Sequence, residues 1–355
     1  MIYLPAEWQR QSAVQLTWPH AGSDWDDILE EVEVCYYHMA REISLRELLL
    51  IVTPNVEEVQ KSLESGLNGR IPENERIREE ALLHRICFFC CDTNDTWARD
   101  HAFLTCLDNE DPERRILLDF CFNGWGMKFA ANYDNQINNR LYKSGLLDGV
   151  YLDCRDFVLE GGAIESDGEG TLLTTSSCLL APNRNEPLDK HDIEKTIRNI
   201  FNAKRVLWLN HGGLAGDDTD GHIDTLARFC NPQTIAYVEC KDKNDEHYEE
   251  LNKMQKELRS FRNNEGKPYQ LVGLPMPDAI YDEEGYRLPA TYANFLIMND
   301  AVLCPTYNQP ENDAQAIKTL SEIFTDREVV GVDCRVLIRQ HGSLHCCTMQ
   351  YPESL

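Results

Sequence analysis

Cys346 stands in the stretch His341-Gly342-Ser343-Leu344-His345-Cys346-Cys347-Thr348-Met349-Gln350, after a glycine-containing turn and close to the end of the 355-residue chain. A thiol so placed suits a nucleophile, although free cysteine is more often a small buried apolar residue. Two other stretches, Trp97-Ala98-Arg99-Asp100 and Asp220-Gly221-His222-Ile223-Asp224, supply what a thiolate enzyme acting on a cation needs. A guanidinium is planar and permanently charged, so its pocket wants two carboxylates at the edges and an aromatic at the face. Asp100, Asp224 and Trp97 make that set. The carbon between the nitrogens is a poor electrophile; attack succeeds only if an acid protonates the leaving nitrogen, and the same group can then activate water. His222 fits both tasks, with Glu160 to orient it. Attack by Cys346, loss of ammonia and hydrolysis of a covalent thiouronium would leave a urea.

Taken singly, each residue has a bland alternative: a surface ion pair for Asp100 with Arg99, a satisfied core histidine for His222, a cap for Glu160 beside Gly161-Gly162, core filler for Trp97. His222-Ile223-Asp224 could ligate a metal, but no second cluster with ligand spacing completes a site, and no Walker-type or dinucleotide glycine motif occurs. Neither a metal nor an organic cofactor is expected.

What would bring these residues together is a repeat. Apolar runs at 101–106 and 115–120 read as a hairpin about the turn Asp108-Asn109-Glu110-Asp111-Pro112, followed by a helix at 135–143 and a strand at 150–152. The order strand, strand, helix, strand recurs from Glu160, from His222 and from Asn294. The hairpins lie at 162–166 with 171–175, around Asn231-Pro232-Gln233, and at 295–298 with 301–303; Asn312 caps the last helix. The first copy, with a strand at 13–18, a helix from about Asp26 and a strand at 48–52, begins one strand short, and the last has only the strand 344–349. Asn55-Val56-Glu57-Glu58 reads as a capping box. A polar connection then runs to about Leu83, and Cys87, Cys90 and Cys91 read as strand core.

Units that cannot bury their apolar faces alone must stack, and pairing the first and last strands removes the exposed edges. The expected architecture is a five-bladed α/β propeller, one catalytic domain over residues 1–355, although an open mixed α/β sheet would give a similar periodicity. In a ring, Asp100, Glu160, His222, Asn294 and Cys346 share one position, where a loop enters the first strand of a hairpin, and would meet at the axis.

Net charge is −26, from 34 basic against 60 acidic residues, which argues against a phosphate-backbone partner and an anionic membrane surface and suits a small cationic substrate. With 42 % hydrophobic and 26 % charged residues the chain is of ordinary globular composition. No secretory signal or bilayer-spanning run is visible, and the 14 cysteines show no paired zinc spacing, so a cytoplasmic protein with reduced thiols is expected. Whether it forms a homo-oligomer is left open.

The chain resembles the agmatine deiminase family of the guanidino-group-modifying (pentein) superfamily over nearly its whole length. The matching motifs are Pro5-Ala6-Glu7-Trp8 with Trp18-Pro19-His20, Asp95-Thr96-Trp97-Ala98-Arg99-Asp100, Phe122-Asn123-Gly124-Trp125-Gly126, Glu160-Gly161-Gly162, Asp217-Asp218-Thr219-Asp220-Gly221-His222-Ile223-Asp224, Tyr292-Ala293-Asn294-Phe295 and Gly342-Ser343-Leu344-His345-Cys346. The resemblance implies a nucleophile at Cys346, a general acid/base at His222, guanidinium-binding carboxylates at Asp100 and Asp224, and hydrolysis of agmatine to N-carbamoylputrescine, a step toward putrescine. Trp97 and Asn294 are expected to touch the substrate. The family often has Gly-Gly-Gly-Asn-Ile-His-Cys where this chain has Gln340-His341-Gly342-Ser343-Leu344-His345-Cys346, so the lip of the pocket differs. Peptidylarginine and free arginine are alternative substrates, and a non-catalytic pentein-fold binding protein is the reading without chemistry.

Overall fold

Short apolar runs bounded by turn residues make strands, and a parallel pair of strands demands a crossover connection, which here is a helix. The computed structural model describes residues 1–111 and 113–353, the side chain of Leu83 apart; Pro112 of the expected turn lies outside them. The described strands form five separate sheets of a mixed α/β fold. Each sheet contains the same unit, in which a first strand pairs antiparallel with a second and the second pairs parallel with a third. In one sheet these are Ile164–Ser166, Thr171–Thr175 and Arg205–Leu209. In the next two they are Ala227–Asn231, Thr234–Glu239 and Gln270–Pro275, then Leu296–Ile297, Ala301–Thr306 and Glu328–Asp333. A fourth sheet, from Leu104–Asp108, Arg115–Cys121 and Val150–Val158, gains the N-terminal strand Ile2–Tyr3 at its edge.

The fifth sheet uses both ends of the chain. Thr348–Pro352 pairs antiparallel with Gln11–Thr17, which runs parallel to Leu48–Thr53, and Ile86–Cys90 is added as a further parallel strand. The helices Leu29–Ser44, Asp134–Ser144, Lys190–Ile200, Tyr248–Ser260 and Pro310–Ile323 each join the second strand to the third. Their apolar residues recur at helical spacing, as in Leu251, Met254 and Leu258, and face inward.

Local departures from expectation have local causes. Ala98–His101, Gly161–Ala163 and His345–Cys347 are single helical turns, with their strands starting at Leu104, Ile164 and Thr348. Cys346 therefore lies on a turn before the last strand. So short a turn needs only i to i+3 bonds and has no period of its own. Pro310, with φ preset and no N–H to leave orphaned, starts its helix earlier than Asn312. The Asn55 side chain caps nothing in the helix Val56–Glu64. The connection toward Leu83 folds into a 3₁₀ turn, Glu73–Glu75, and a short helix, Glu79–His84. Cys90 is exposed because Ile86–Cys90 is an edge strand, whereas Cys91 is buried just beyond it. All 14 cysteines are free. No helix among the described residues is long and apolar enough to cross a membrane.

The joint between the chain ends can be tested at Tyr351, whose hydroxyl donates to Gln15 Oε1 at 2.6 Å, both residues being fully buried. Tyr351→Phe leaves that amide oxygen unpaired, and an expected loss of about 1–3 kcal/mol should lower the urea midpoint at constant slope. An unchanged midpoint would show that this contact does not help to hold the ends together.

Candidate active site

Each helical turn ahead of a first strand points its residue toward the same place. Asp100 lies on the turn Ala98–His101, Glu160 and His222 precede the turns Gly161–Ala163 and Ile223–Thr225, and Cys346 lies within His345–Cys347. Asn294 joins two of these groups. Its Oδ1 accepts from the backbone N–H of His345 at 2.8 Å and of Cys346 at 3.3 Å, and its Nδ2 donates to the Asp224 carbonyl at 3.4 Å. The Cys346 thiol also donates to Asn294 Oδ1, at 3.4 Å. Such an acceptor favours the thiol over the thiolate.

Asp100 is held on both oxygens: Trp125 Nε1 donates to Oδ2 at 2.9 Å and the Gly162 N–H to Oδ1 at 3.1 Å. His222 Nδ1 lies 3.7 Å from the same Oδ1. This approach explains Gly162, since a Cβ there would fall 2.5 Å from His222 Nδ1. His222 Nε2 is buried without a hydrogen-bond partner. Asp224 is fixed from below, its Oδ2 2.7 Å from His345 Nδ1, while Oδ1 is buried and unpaired. His345 continues to Glu7, with Nε2 and Oε2 2.7 Å apart, and Glu7 accepts from the buried Arg228 at 2.8 Å.

Glu160 makes no hydrogen bond to His222. Its oxygens accept from Arg184 Nε at 3.0 and 3.3 Å, and Arg184 also grips Asp220 and the Thr219 carbonyl on the loop leading to His222. Orientation of His222 thus runs through Arg184 and the loop. Glu160, Cys178 and His222 bring one ligating atom each within 4.8 Å of one another, but a dication there would sit against the fixed Arg184 guanidinium.

Burial alone would lower the imidazole of His222, but the Asp100 carboxylate above all raises it well beyond its ordinary value, which favours the imidazolium. Burial pushes Asp100 up to about 6, against the pull of His222. Burial pushes the Cys346 thiol well above its usual range, and Asp224 and Asp100 add to this. Asp224 is held below the usual carboxylate range in spite of burial, through its bond to His345.

A narrow pocket opens above this cluster. Of the expected site residues, Trp97, Asp100 and Cys346 line it, whereas His222, Asp224, Glu160 and Asn294 lie buried behind its wall. Asn294, expected to touch substrate, stands beneath the turn that carries Cys346. The lining also includes Asp24, Asp95, Trp125, Phe129, Asp218 and His341, none given a role from the sequence. Trp97 donates to Asp95 Oδ2 at 3.0 Å and its ring packs so tightly on Gly342 that a Cβ there would fall 2.2 Å from it. Trp125 has φ +56, a conformation a bulky residue rarely adopts, and it is this that aims its indole at Asp100. The glycines flanking Trp125 were the only visible signal of that bend; nothing in Pro182-Asn183-Arg184-Asn185 marked Arg184.

A family model for Porphyromonas-type peptidyl-arginine deiminase matches residues 3–352. Agmatine deiminase from Medicago truncatula is 30 % identical over 99 % of this chain and 96 % of its own. Among solved structures, a provisionally named arginine deiminase from Porphyromonas gingivalis is 51 % identical with a TM-score of 0.89, covering 100 % of this chain and 99 % of its own. A cysteine-to-serine variant of C. jejuni agmatine deiminase with substrate bound is 39 % identical with a TM-score of 0.86, covering 100 % and 97 %.

The raised thiol makes an outcome readable without substrate. A raised pKa leaves less thiolate at neutral pH, so alkylation of Cys346 by neutral iodoacetamide should be slow at pH 7 and keep accelerating with pH past the range of an ordinary cysteine, about 8.5. Mass spectrometry of the Cys346 peptide measures it. A rate that has already levelled off at pH 7 would mean a preformed thiolate.

Proposed function

The chain belongs to the Porphyromonas-type peptidyl-arginine deiminase family, and from that premise we propose that it is an agmatine deiminase, hydrolysing the guanidinium of agmatine to N-carbamoylputrescine and ammonia. The observation that carries the choice of substrate is the pocket lining. Beside Cys346 and Asp100 stand Asp24, Asp95 and Asp218, with no lysine or arginine among the described lining residues. Agmatine is a cation at both ends, and these walls complement its far ammonium. Free arginine would bring a carboxylate against them, at a cost that like charges impose. The Medicago and C. jejuni relatives, both named agmatine deiminases, support the reading.

In the proposed reaction the guanidinium enters against Asp100, with Trp97 at the pocket wall and the unpaired Oδ1 of Asp224 behind that wall. The guanidinium charge offsets the two carboxylates that raise the Cys346 thiol, so as the cation binds the thiol gives up its proton to solvent water and the thiolate forms. Sulfur adds to the guanidinium carbon, and the His222 imidazolium gives its proton to a leaving nitrogen, which departs as ammonia. The neutral His222 then takes a proton from water, whose oxygen adds to the thiouronium carbon; collapse forms the ureido carbonyl and breaks the carbon–sulfur bond, the hydroxyl proton passing to the departing sulfur, which restores the thiol and frees the product. No step calls on a metal. We read the five sheets as blades of a ring around this site and residues 1–355 as one catalytic unit, and the free cysteines suit a reducing, cytoplasmic setting.

Ammonia release across agmatine, arginine and a peptidylarginine ester tests the substrate, with agmatine expected to give the highest kcat/KM. A clear preference for arginine would overturn the choice. Asp100→Asn and Asp224→Asn should each lower kcat for agmatine by roughly a hundredfold or more, because both carboxylates align the carbon with Cys346. A variant retaining wild-type kcat/KM would exclude that residue from the grip on the guanidinium.

The raised Asp100 carboxyl also sets a pH dependence. Protonation on acidification removes the charge that holds the substrate, so kcat/KM should fall below about pH 6, the value for free Asp100. Asp95, likewise pushed up by burial to about 6, steepens the fall if it contributes to binding. In kcat the limb should move to lower pH, because bound cation holds the carboxylate ionised. A kcat/KM profile flat from pH 7 to 5 would contradict the role of Asp100.

A further inference from the structure

We propose that His341 and Asp218 form the seat for the far ammonium group of the substrate, and that His341 thereby sets the chain length the pocket accepts. The inference rests on the substrate reading above and extends it to a residue at which this chain departs from its family's glycine-rich run.

His341 lines the same pocket as Cys346 and Asp218. It follows the 3₁₀ turn Leu337–Gln340 in a left-handed conformation, φ +66, where glycine is the undemanding choice. Histidine is among the few side chains enriched in that conformation, so the turn can present an imidazole to the pocket. The ring is anchored on the loop that carries Asp218. Its Nδ1 lies 2.7 Å from the Gly216 carbonyl, which can only accept, so Nδ1 carries the hydrogen and the neutral ring keeps its lone pair on Nε2. An acceptor nitrogen beside a carboxylate is a fit for an alkylammonium and a poor one for a carboxylate. Burial raises the Asp218 carboxyl. The lip is also tied on its other side, where Gln340 Nε2 donates to the Asp24 carbonyl at 2.8 Å. The seat is therefore fixed at both ends relative to Cys346, and a fixed distance between nucleophile and ammonium seat measures the chain between them.

The test is steady-state ammonia release by wild type, His341→Gly and His341→Asn. Substrates are agmatine, its homologues shorter and longer by one methylene, and n-butylguanidine, which lacks the far amine. Glycine suits the turn, which offsets the lost bond to the Gly216 carbonyl, so His341→Gly should melt close to wild type. Its KM for agmatine should rise about tenfold or more, the loss of one charge-assisted hydrogen bond, with kcat within about twofold. Its preference among the three amines should flatten, while its kcat/KM for n-butylguanidine stays at the wild-type value. His341→Asn, which accepts the left-handed conformation and keeps an acceptor, should recover part of the affinity. Equal losses with agmatine and n-butylguanidine would show a merely structural role and overturn the proposal, as would an unchanged KM and chain-length preference in both variants. Wild type releasing no ammonia from any of the amines would instead bring down the substrate reading, and this inference with it.

Discussion

Arg228 is fully buried, and what it touches joins sheets that share no hydrogen-bonded strands. From the strand Ala227–Asn231 it donates to Glu165 in a second sheet, to the Phe295 carbonyl at 2.5 Å beside a third, and to Glu7 Oε2 at 2.8 Å ahead of the sheet that joins the chain ends. Its guanidinium lies 4.7 Å from the centre of the Phe295 ring. Taking such charges out of water costs several kcal/mol each, which only near-complete pairing offsets. That requirement makes the arrangement specific: sliding any one of these sheets would strand a charge. The network ends at the chemistry, because the histidine that meets Glu7 on one nitrogen meets Asp224 on the other. The charges that fix the centre of the fold therefore also fix a carboxylate of the site.

Above that fixed layer the electrostatics are left incomplete. Asp100 and Asp224 flank a thiol, and without a cation between them their charge opposes thiolate formation. His222 is biased toward imidazolium by the same Asp100 that a bound guanidinium would share. In the proposed reaction the acid is thus ready and the nucleophile unready, and the missing charge arrives with the substrate. Preorganised charge of this kind needs no rearrangement at the moment of reaction. On the same reading, a thiol held above its usual range is a poorer target for alkylation and oxidation between turnovers.

The repeating order of strands and helices was legible in the sequence because each element has its own period, and so was the position that Asp100, Glu160, His222, Asn294 and Cys346 share in that order. The single turns that carry these residues were not, having no period to detect. Nor was the division between residues that line the pocket and those that lie behind it, since Asp224 and Asn294 are as polar as Asp95. Glu7 and His345 are 338 positions apart, and only the pairing of the chain ends makes them neighbours. Arg184 was invisible for a similar reason, as its partners Glu160 and Asp220 come from different units.

Backbone strain shows where the fold yields to the site. Of the non-glycine residues with positive φ among those described, Trp125 and His341 line the pocket, and Met127 and Asp220 stand close beside lining residues in the chain. Conformations of this kind cost of order 1–3 kcal/mol each and persist only where their surroundings over-determine them. Here the surroundings do. Asn123 accepts from Gly126 to close the bend around Trp125, Arg184 grips Asp220, and Gly216 holds the His341 ring. Lys128 then bridges the two loops, its Nζ 2.9 Å from Asp220 Oδ1. The buried charges below make the centre rigid, and that rigidity lets the lip hold side chains in conformations that none of these loops would adopt alone.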